Sequence, residues 1–427
     1  MLCDRNFLDD HDRVLVVGGG VAGMHAALTL AALDVSVLLV EKNAHLGGNV
    51  LRLDKVYPTD HCAFCQTWST ARQCYDSPLI QVLLHTEVLG LSTDGEGIQA
   101  RLTMRCPLID PSLCLFCGAC RNACPHGALL ERDPARTWDP ALPPVMRVDQ
   151  ARCNGCGQCA QACPVGAINL EAKDEELIVP VTDVIYATGF EEPQPGDPRH
   201  APEFGTGSHP DILTAMEFEA WQNEGRGLGP LCTPSGGKSV RKVAFVQCAG
   251  ARDRRHLPYC AAVCCMHAMK QARWLKRRQP ALDIALFYTD LRAPGAGQER
   301  YMRAGAAEGL RLLRSRPGLV MAAEQGGVGL RYAQPETGRP VGEIFDLAVI
   351  NGGLGQCPLP SSRPGADGTP HSASPVGVLK AGFCDEPADV AGSVIQGAAR
   401  AVAAVLRRHT AAGGGCSSNP QSAPSAD

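Results

Sequence analysis

Runs of apolar residues divide the first forty positions into a strand, a helix and a second strand. Residues 14–17 and 35–40 are short runs rich in Val and Leu, which predict buried strands. Between them, residues 24–33 favour a helix. This strand–helix–strand order predicts an α/β unit in which the two strands lie parallel.

Short apolar runs recur through the rest of the chain. Further strands are predicted at residues 80–85, 98–105, 183–187, 241–246, 282–290 and 346–351. The first two are expected to form one small sheet, with a turn of glycines and acids at residues 94–97. Residues 196–237 are rich in Pro, Gly and His and predict loops around one helix at 212–221, whereas residues 388–408 predict a long helix.

A glycine motif stands between the first strand and its helix. Gly18, Gly20 and Gly23 have the spacing G-x-G-x-x-G, and Glu41 follows the second strand. Glycines let the backbone approach a pyrophosphate at a helix N-terminus, and an acid at this point accepts hydrogen bonds from ribose. The motif, with Val21, Ala22 and Lys42 beside it, predicts a dinucleotide site. A glycine-rich turn without nucleotide is the alternative.

Three later motifs favour FAD over NAD in that site. Gly47 and Gly48 follow Glu41 as in flavoproteins that resemble glutathione reductase. Thr188 and Gly189 end an Ala-Thr-Gly stretch similar to the one at which those proteins return to the flavin domain. Near the C-terminus, Gly382 and Asp385 resemble the closing motif whose acid contacts the ribityl chain, although Asp385 lies two residues later than usual.

Two cysteine runs predict iron–sulfur clusters. Each has the spacing C-x2-C-x2-C-x3-C-P of a bacterial-type ferredoxin, in which the fourth cysteine binds the other cluster. The ligands of one 4Fe-4S cluster are therefore predicted as Cys114, Cys117, Cys120 and Cys163, and those of the other as Cys153, Cys156, Cys159 and Cys124. Paired zinc sites are the alternative, but zinc modules rarely carry the closing x3-C-P.

Composition agrees with a globular redox protein. The 427 residues are 45% hydrophobic and 20% charged, enough to bury two or three cores. The N-terminus lacks the features of a signal peptide, so the 21 cysteines are interpreted as ligands in a reducing cytoplasm. A net charge of -4 gives no reason to expect nucleic acid, and no uninterrupted apolar run approaches the ~20 residues of a membrane helix.

Cys62 and Cys65 form an additional C-x2-C pair. Their spacing suits one metal, and they are also candidates for a third cluster. A pair alone is equally typical of a redox dithiol or of two buried thiols.

The second α/β unit departs from NAD(P)H-dependent proteins. Its first strand leads into Gln247 and Cys248 where those proteins have a second glycine fingerprint, so direct oxidation of NAD(P)H is not expected. Cys260, Cys264 and Cys265 follow in a stretch predicted to be helical, with Cys260 and Cys264 on one face. With Cys248, they can ligate a third cluster or be buried thiols. Lys270, on the same helix, is a candidate flavin contact or a surface residue.

Together these motifs resemble the A subunit of heterodisulfide reductase and its bacterial relatives. The resemblance also rests on residues 53–59, 246–253, 258–266 and 287–293. It implies an FAD-bearing iron–sulfur oxidoreductase that passes electrons between a donor and a disulfide-reducing, ferredoxin or quinone-linked partner. Implied partners are other subunits of such a complex, with a ferredoxin, hydrogenase or dehydrogenase as donor or acceptor, and a homodimer is open. Compared with the long archaeal form, a second ferredoxin pair is not expected in this chain.

The predicted architecture is an α/β flavoprotein with two dinucleotide-binding domains, similar to thioredoxin and glutathione reductases, and an inserted α+β ferredoxin domain. The FAD domain is expected at 1–105, 174–237 and 346–410, the ferredoxin insert at 106–173, and the second domain at 238–345. Residues 411–427 are expected to be a disordered tail. A self-contained NAD(P)H-dependent disulfide reductase and a non-catalytic electron-relay scaffold are the alternatives.

Overall fold

The structure is a computed structural model that describes residues 12–93, 97–110, 113–130, 146–224, 231–324, 326–359 and 377–412. Its α-helices are Val21–Ala32 (α1), Ala63–Asp76 (α2), Ala119–Ala123 (α3), Gln158–Gln161 (α4), Ala215–Glu224 (α5), Cys264–Arg278 (α6), Ala296–Ala307 (α7) and Val390–Ala412 (α8). Short 3-10 turns lie at Gly48–Arg52, Pro202–Phe204 and Gly382–Cys384.

A parallel sheet of five strands forms the framework of the first domain. Its strands are Arg13–Val17 (β1), Ser36–Val40 (β2), Ile80–Leu83 (β5), Asp183–Tyr186 (β11) and Val378–Lys380 (β23), in the spatial order β23-β11-β1-β2-β5. The strands predicted at 14–17, 35–40 and 183–187 are confirmed as neighbours in this sheet. Helix α1 packs on it through Met24, Ala27 and Leu30, which are all fully buried.

The prediction that residues 80–85 and 98–105 share a sheet is wrong. Strand β5 pairs with β2 in the parallel sheet. Residues 98–105 instead contribute to an antiparallel sheet of Thr86–Thr93 (β6), Ile98–Met104 (β7) and Glu175–Val181 (β10). Apolar side chains of this sheet, such as Val88 and Leu102, pack against the parallel sheet, so local apolar pattern did not distinguish the two.

The ferredoxin module enters and leaves between two paired strands. Met104 at the end of β7 is the register partner of Glu175 at the start of β10. Within the module, strands Leu129–Leu130 (β8) and Arg147–Val148 (β9) pair, and Ile109 bridges to Ile168. The proline-rich spacer predicted as a loop falls mostly within residues 131–145, outside the described residues.

A second parallel sheet forms the other domain. Its strands are Ile212–Thr214 (β13), Lys242–Val246 (β14), Asp283–Phe287 (β16), Arg311–Leu313 (β17) and Leu347–Ile350 (β21), in the order β13-β21-β14-β16-β17. The second domain therefore extends beyond the predicted limits of 238–345. Strand β21 pairs with both β13 and β14, and β13 and β21 lie outside those limits. Phe245 and Phe287 are fully buried in its core.

Shorter strands complete the architecture. They are Lys55–Val56 (β3), His61–Cys62 (β4), Phe190–Glu191 (β12), Gly250–Leu257 (β15), Leu319–Ala322 (β18), Val328–Ala333 (β19), Pro340–Phe345 (β20) and Gly355–Gln356 (β22). Strands β3 and β4 form a hairpin, and β18, β19 and β20 form an antiparallel sheet.

The C-terminal helix α8 packs across helix α1. A Cβ added to Gly397 would lie 2.2 Å from the Ala22 carbonyl oxygen, so the two helices meet at backbone distance. In the described part of the chain, α8 contains one stretch, Val390–Thr410, that is long and apolar enough to cross a membrane. Arg400 and Arg407 on it form ion pairs with Asp385 and Asp183. The helix extends past the predicted limit of 410, and the tail beyond Ala412 lies outside the described residues.

Candidate redox site

The first glycine motif forms a tight turn between β1 and α1. Gly18 has φ +106°, and a Cβ there would lie 2.4 Å from the Ala187 carbonyl oxygen. A Cβ on Gly23 would lie 1.8 Å from the Gly18 carbonyl oxygen. A Cβ on Gly20, by contrast, would meet no protein atom nearer than 3.9 Å. A side chain at Gly18 or Gly23 would therefore clash with the backbone, whereas the space beside Gly20, at the N-terminus of α1, is open.

Glu41 is buried at the edge of this turn. One of its carboxylate oxygens accepts a hydrogen bond from the Gly19 amide at 2.8 Å, and the other accepts one from the Asn43 amide at 2.8 Å. The Asn43 side-chain amide also donates to the oxygen that accepts from the Asn43 backbone, so the oxygen that faces Gly19 is the one with a further lone pair. The carboxylate is held where a ribose hydroxyl can donate to it, beside the open space at Gly20.

Gly47, Gly48 and Thr188 close the cradle from other elements. The Gly47 amide donates to the Gly19 carbonyl at 2.7 Å, and Gly48 approaches the Gly20 backbone. The Thr188 hydroxyl is buried and, among the described residues, has no hydrogen-bond partner. A buried hydroxyl without a partner is costly unless a ligand satisfies it. The cradle, the carboxylate and this hydroxyl fit a bound FAD.

The remaining predicted FAD residues surround the same turn. Val21 and Ala22 form the start of α1, Lys42 is exposed beyond Glu41, and Gly189 has φ +74° after the β11 strand. Gly382 packs on α1, since a Cβ there would lie 2.7 Å from the Ala22 Cβ. The Asp385 carboxylate pairs with Arg400 at 2.8 Å, so its predicted ribityl contact competes with an ion pair.

The fold brings together the first predicted set of ferredoxin cysteines. A small apolar cavity is lined by Cys114, Cys117, Cys120 and Cys163, three from the first run and one from the second. Soft thiolates around an apolar cavity are a suitable donor set for an iron–sulfur cluster.

Three cysteines of the second set, Cys124, Cys153 and Cys159, pack in one apolar cluster. Burial raises the pKa of Cys159, and the charges of Cys124 and Cys153 raise it further, which places these three sulfurs near one another. Cys124 and Cys163 each accept a hydrogen bond at 3.3 Å, from the amides of Ala128 and Ala167 respectively. Cys156 is exposed.

Four further cysteines meet at the carboxyl end of β14. Burial raises the pKa of the Cys264 thiol well above its usual value, and nearby Cys265, Cys248 and Cys260 raise it further. The prediction that Cys260 lies on a helix is wrong: α6 begins at Cys264, and Ala262 has φ +60° in the loop before it. The loop, rather than a helix face, brings Cys260 to the other three.

Lys270 is buried, not exposed, and is only 4% accessible. Its ammonium group donates to the Glu219 carboxylate and to the Lys55 carbonyl oxygen, the latter at 3.2 Å. Burial alone would raise the pKa of Glu219, but the charge of Lys270 and the hydrogen bond with His267 hold it at about 2. The ion pair therefore lies at the junction between the two domains.

Sequence reasoning missed Glu219 and Glu192. Glu219, on α5, is the fully buried partner of Lys270. The two residues are 51 positions apart, so no local sequence pattern indicates that they pair. Burial raises the pKa of Glu192 to about 7, and the Thr214 hydroxyl donates to it at 2.7 Å. Glu219 lies on the short helix predicted at 212–221, and Glu192 lies between the Ala-Thr-Gly stretch and the segment 196–237 that was predicted to be mostly loops.

Cys62 and Cys65 lie apart from the ferredoxin module. Cys62 ends strand β4 and immediately precedes helix α2, whose first turn contains Cys65. Cys62 is half-buried and Cys65 is exposed.

Two domain families match segments of the chain. Residues 113–167 match the 4Fe-4S dicluster domain, and residues 16–64 match the NAD(P)-binding Rossmann-like domain. These segments contain both cysteine runs and the glycine turn. The chain thus combines a dicluster domain with a dinucleotide-binding domain.

The chain is also similar to whole redox subunits. It is 34% identical to the iron-sulfur A 2 subunit of CoB--CoM heterodisulfide reductase in Methanopyrus kandleri, over 93% of this chain and 64% of that protein. It is 30% identical to the A subunit of H(2):CoB-CoM heterodisulfide,ferredoxin reductase in Methanothermobacter marburgensis, over 92% and 64%, and 31% identical to the A subunit of Ferredoxin:CoB-CoM heterodisulfide reductase in Methanosarcina mazei, over 90% and 52%. The chain spans about half to two thirds of the length of these relatives.

Among solved structures, the fold is similar to that of Lactococcus lactis thioredoxin reductase. The TM-score is 0.50 with 14% sequence identity, and the match covers 92% of this chain and 98% of the other. At that identity the likeness concerns the fold alone, and it supports the predicted two-domain architecture. Over the region that it shares with these relatives, the chain is similar to the A subunits of heterodisulfide reductases.

Proposed function

We propose that this chain is an electron-transfer subunit that uses FAD and iron–sulfur clusters to pass electrons between a donor protein and a disulfide-reducing, ferredoxin or quinone-linked partner. The observation that carries the proposal is the position of the dicluster module between paired strands β7 and β10 of the flavin domain. An insert with both ends in one sheet is held against the flavin domain, whereas a module on a single linker is not.

The residues of the first domain would hold FAD in a fixed position. Gly18 and Gly23 close the turn, the open space at Gly20 admits the pyrophosphate, and Glu41 accepts from the ribose. When bound, FAD supplies exchange of electron pairs and of single electrons. The chain positions that group and excludes water with the buried strands around it.

The eight ferredoxin cysteines would hold two 4Fe-4S clusters. The cavity of Cys114, Cys117, Cys120 and Cys163 supports the crossed ligation that the spacing predicts. The hydrogen bond from the Ala128 amide lowers the pKa of Cys124 and so favours its thiolate, which is the form that binds iron. The Ala167 amide donates to the Cys163 sulfur in the same way.

Cys248, Cys260, Cys264 and Cys265 are proposed as ligands of a third cluster. Their mutual proximity supports this assignment, as does the environment of Gln247 and Asn351 beside them. Among the described residues, the side-chain oxygen and nitrogen of Gln247 and the side-chain nitrogen of Asn351 are buried without hydrogen-bond partners. Buried amide donors of this kind are suited to the sulfurs of a cluster.

Lys270 is proposed as a catalytic residue that contacts the flavin. Its ammonium group is buried at the domain junction, where it forms an ion pair with the Glu219 carboxylate. A fixed cation beside a redox group stabilises that group's more negative state. The residue would therefore tune the potential at which electrons enter or leave.

The partners are proposed from the complexes named for the relatives. These relatives are subunits of heterodisulfide reductases, in two cases with ferredoxin in the enzyme's name. We propose that this chain likewise works in the cytoplasm within a complex of further subunits, with a ferredoxin, hydrogenase or dehydrogenase as donor or acceptor. Homodimer formation is part of the same proposal.

Anaerobic purification followed by reduction tests the function. The protein should contain about one FAD and at least about eight iron atoms per chain. Reduced ferredoxin should bleach the flavin absorption, whereas NADH and NADPH should not, because no glycine fingerprint follows β14. Bleaching by NADH alone would favour a self-contained reductase, and absence of flavin would favour a scaffold.

A further inference from the structure

Exposed arginines gather at the carboxyl end of the second parallel sheet, on the segments that follow β14, β16 and β17. We call this group the arginine patch, and its members are Arg252, Arg255, Arg292, Arg314 and Arg316, all of which are exposed. Asp253 pairs with two of them, Arg255 at 2.8 Å and Arg316 at 3.4 Å. The Arg316 guanidinium also lies over the Phe204 ring, 5.5 Å from its centre. These contacts hold two guanidinium groups beside one carboxylate.

A second carboxylate links the other arginines. Asp290 pairs with Arg252 at 3.8 Å and with Arg292 at 3.2 Å. Next to it in the sequence, the Thr289 carbonyl oxygen accepts a hydrogen bond from Arg314 at 3.4 Å. Arg252 is also adjacent in sequence to the first carboxylate, so the two groups of arginines form one continuous surface.

The patch is positively charged although the chain is not. Its arginines outnumber the two carboxylates within it and Glu203, which pairs with Arg255 at its edge, whereas the whole chain has a net charge of -4. The Asp253 side chain is 12% exposed and that of Asp290 is 50% exposed, but those of Arg255 and Arg292 are 69% and 54% exposed. The exposed charge is therefore mostly guanidinium. A local positive field of this kind orients an approaching acidic protein.

The patch borders the four cysteines that are proposed to bind the third cluster. The Cys265 sulfur lies 3.6 Å from the Asp290 carbonyl oxygen. The Arg252 amide donates to the Tyr259 carbonyl oxygen at 3.1 Å, and Cys260 follows Tyr259 in the sequence. Arg252 has φ +60°, a conformation that is uncommon outside glycine. A protein docked on the arginines would therefore lie against the loops that carry these cysteines.

The layout of the patch suits a protein better than a small anion or a nucleic acid. Its guanidinium groups are divided between Asp253, Asp290 and the Thr289 carbonyl oxygen, so they do not converge on one point as they would around a phosphate. The carboxylates between the arginines would repel a chain of phosphates, whose binding depends on many unopposed cations. Separate carboxylates on a protein surface can each pair with one guanidinium.

We propose that the arginine patch is the docking surface for an acidic one-electron carrier, an iron–sulfur protein of the ferredoxin class with carboxylates around its cluster. The inference rests on the proposed function and adds to it the face at which the carrier exchanges electrons. In each encounter the carrier's cluster loses one electron and a redox group of this chain gains it, and no bond or proton is transferred. Association steered by charge is fast at low ionic strength and slows as salt screens it.

Stopped-flow reduction of the anaerobic, cofactor-loaded full chain by a reduced acidic two-cluster ferredoxin tests the surface. The second-order rate constant should fall about tenfold or more between roughly 0.02 M and 0.3 M salt. Arg292→Glu and Arg314→Glu should each lower it about threefold to tenfold at low salt, and the double variant should lower it further, with all rates converging at high salt.

Arg72→Glu is the matched control and should react like the parent chain. Arg72 is 71% exposed and pairs with one aspartate, as Arg292 does, but it lies on α2 in the first domain. Photoreduced deazariboflavin, an uncharged reductant, should reduce the parent and all of the variants at equal rates. This second control shows that the substitutions leave the redox centres intact.

A double variant that keeps the parent's ferredoxin rate, an equal loss in Arg72→Glu, or a parent rate that does not depend on salt would overturn the proposal. Competition by about 1 mM inorganic phosphate at constant ionic strength would overturn it too, by assigning the patch to a small anion. The salt dependence of the parent chain remains a test even if a variant fails to fold. A parent chain that deazariboflavin reduces and ferredoxin does not would contradict the docking alone, whereas a parent chain without FAD or iron would contradict the proposed function.

Discussion

At the scale of single residues, the buried ion pair of Lys270 and Glu219 is expected to affect the stability of the fold strongly. Lys270→Met should lower the free energy of unfolding by about 3–5 kcal/mol, because it leaves the Glu219 charge buried without its partner. Without Lys270, burial raises the pKa of Glu219, so protonation at about pH 5 should reduce this loss relative to about pH 8. Urea unfolding at the two pH values measures the difference.

Lys276→Met is the matched control on the same helix. Lys276 is partly buried and donates to the Leu282 carbonyl at 2.7 Å, so its loss should cost only about 1 kcal/mol. If Lys270 contacts the flavin, Lys270→Met should also lower the flavin potential, whereas Lys276→Met should not. Equal potentials in the two variants would argue against the contact.

Two glycines of the turn are expected to have different roles: Gly23 in packing and Gly20 in binding FAD. Gly23→Ala should destabilise the fold by about 3 kcal/mol or more, because its Cβ would overlap the Gly18 carbonyl oxygen. Gly20→Ala should leave stability unchanged, since its Cβ meets open space, but should weaken FAD binding roughly tenfold or more. Urea unfolding and FAD titration distinguish the two, and normal FAD affinity in Gly20→Ala would place the pyrophosphate elsewhere.

At the scale of elements, the cavity that Cys163 shares with the first cysteine run predicts that the ferredoxin repeats exchange their fourth cysteines. Cys163→Ser should remove the same cluster as Cys120→Ser, although Cys163 lies in the other run. Each variant should lose about four iron atoms and the same electron paramagnetic resonance signal. Cys106→Ser, outside both runs, should keep all iron. A Cys163→Ser spectrum that matched Cys159→Ser instead would show that the runs do not cross.

At the scale of the whole molecule, the insertion of the dicluster module predicts that the flavin domain folds without it. Met104 and Glu175 are paired neighbours, so residues 105–174 can be replaced by an Asn-Gly turn. The shortened chain should bind FAD normally and lose about eight iron atoms. Flavin and iron quantitation check both outcomes, and loss of FAD would mean that the module also supports the flavin domain.

Motifs and long apolar runs were predicted well, whereas sheet membership was not. The strands around Gly18 and the helix ending the chain follow from local pattern. Residues 80–85 and 98–105 look alike in sequence but belong to different sheets, because one pairs with β2 and the other with β10. Pairing between strands distant in sequence is decided by burial, which local pattern does not contain.

The sequence by itself determined which chemistry this protein can hold, because cluster and dinucleotide motifs are local runs whose spacing is read directly. Only the tertiary structure decided how those runs combine. It brought Cys260 near Cys264 through a loop, and it buried Lys270 against Glu219. It also left Cys65 exposed in the first turn of α2. These contacts join residues on separate elements, and their energies depend on packing between those elements.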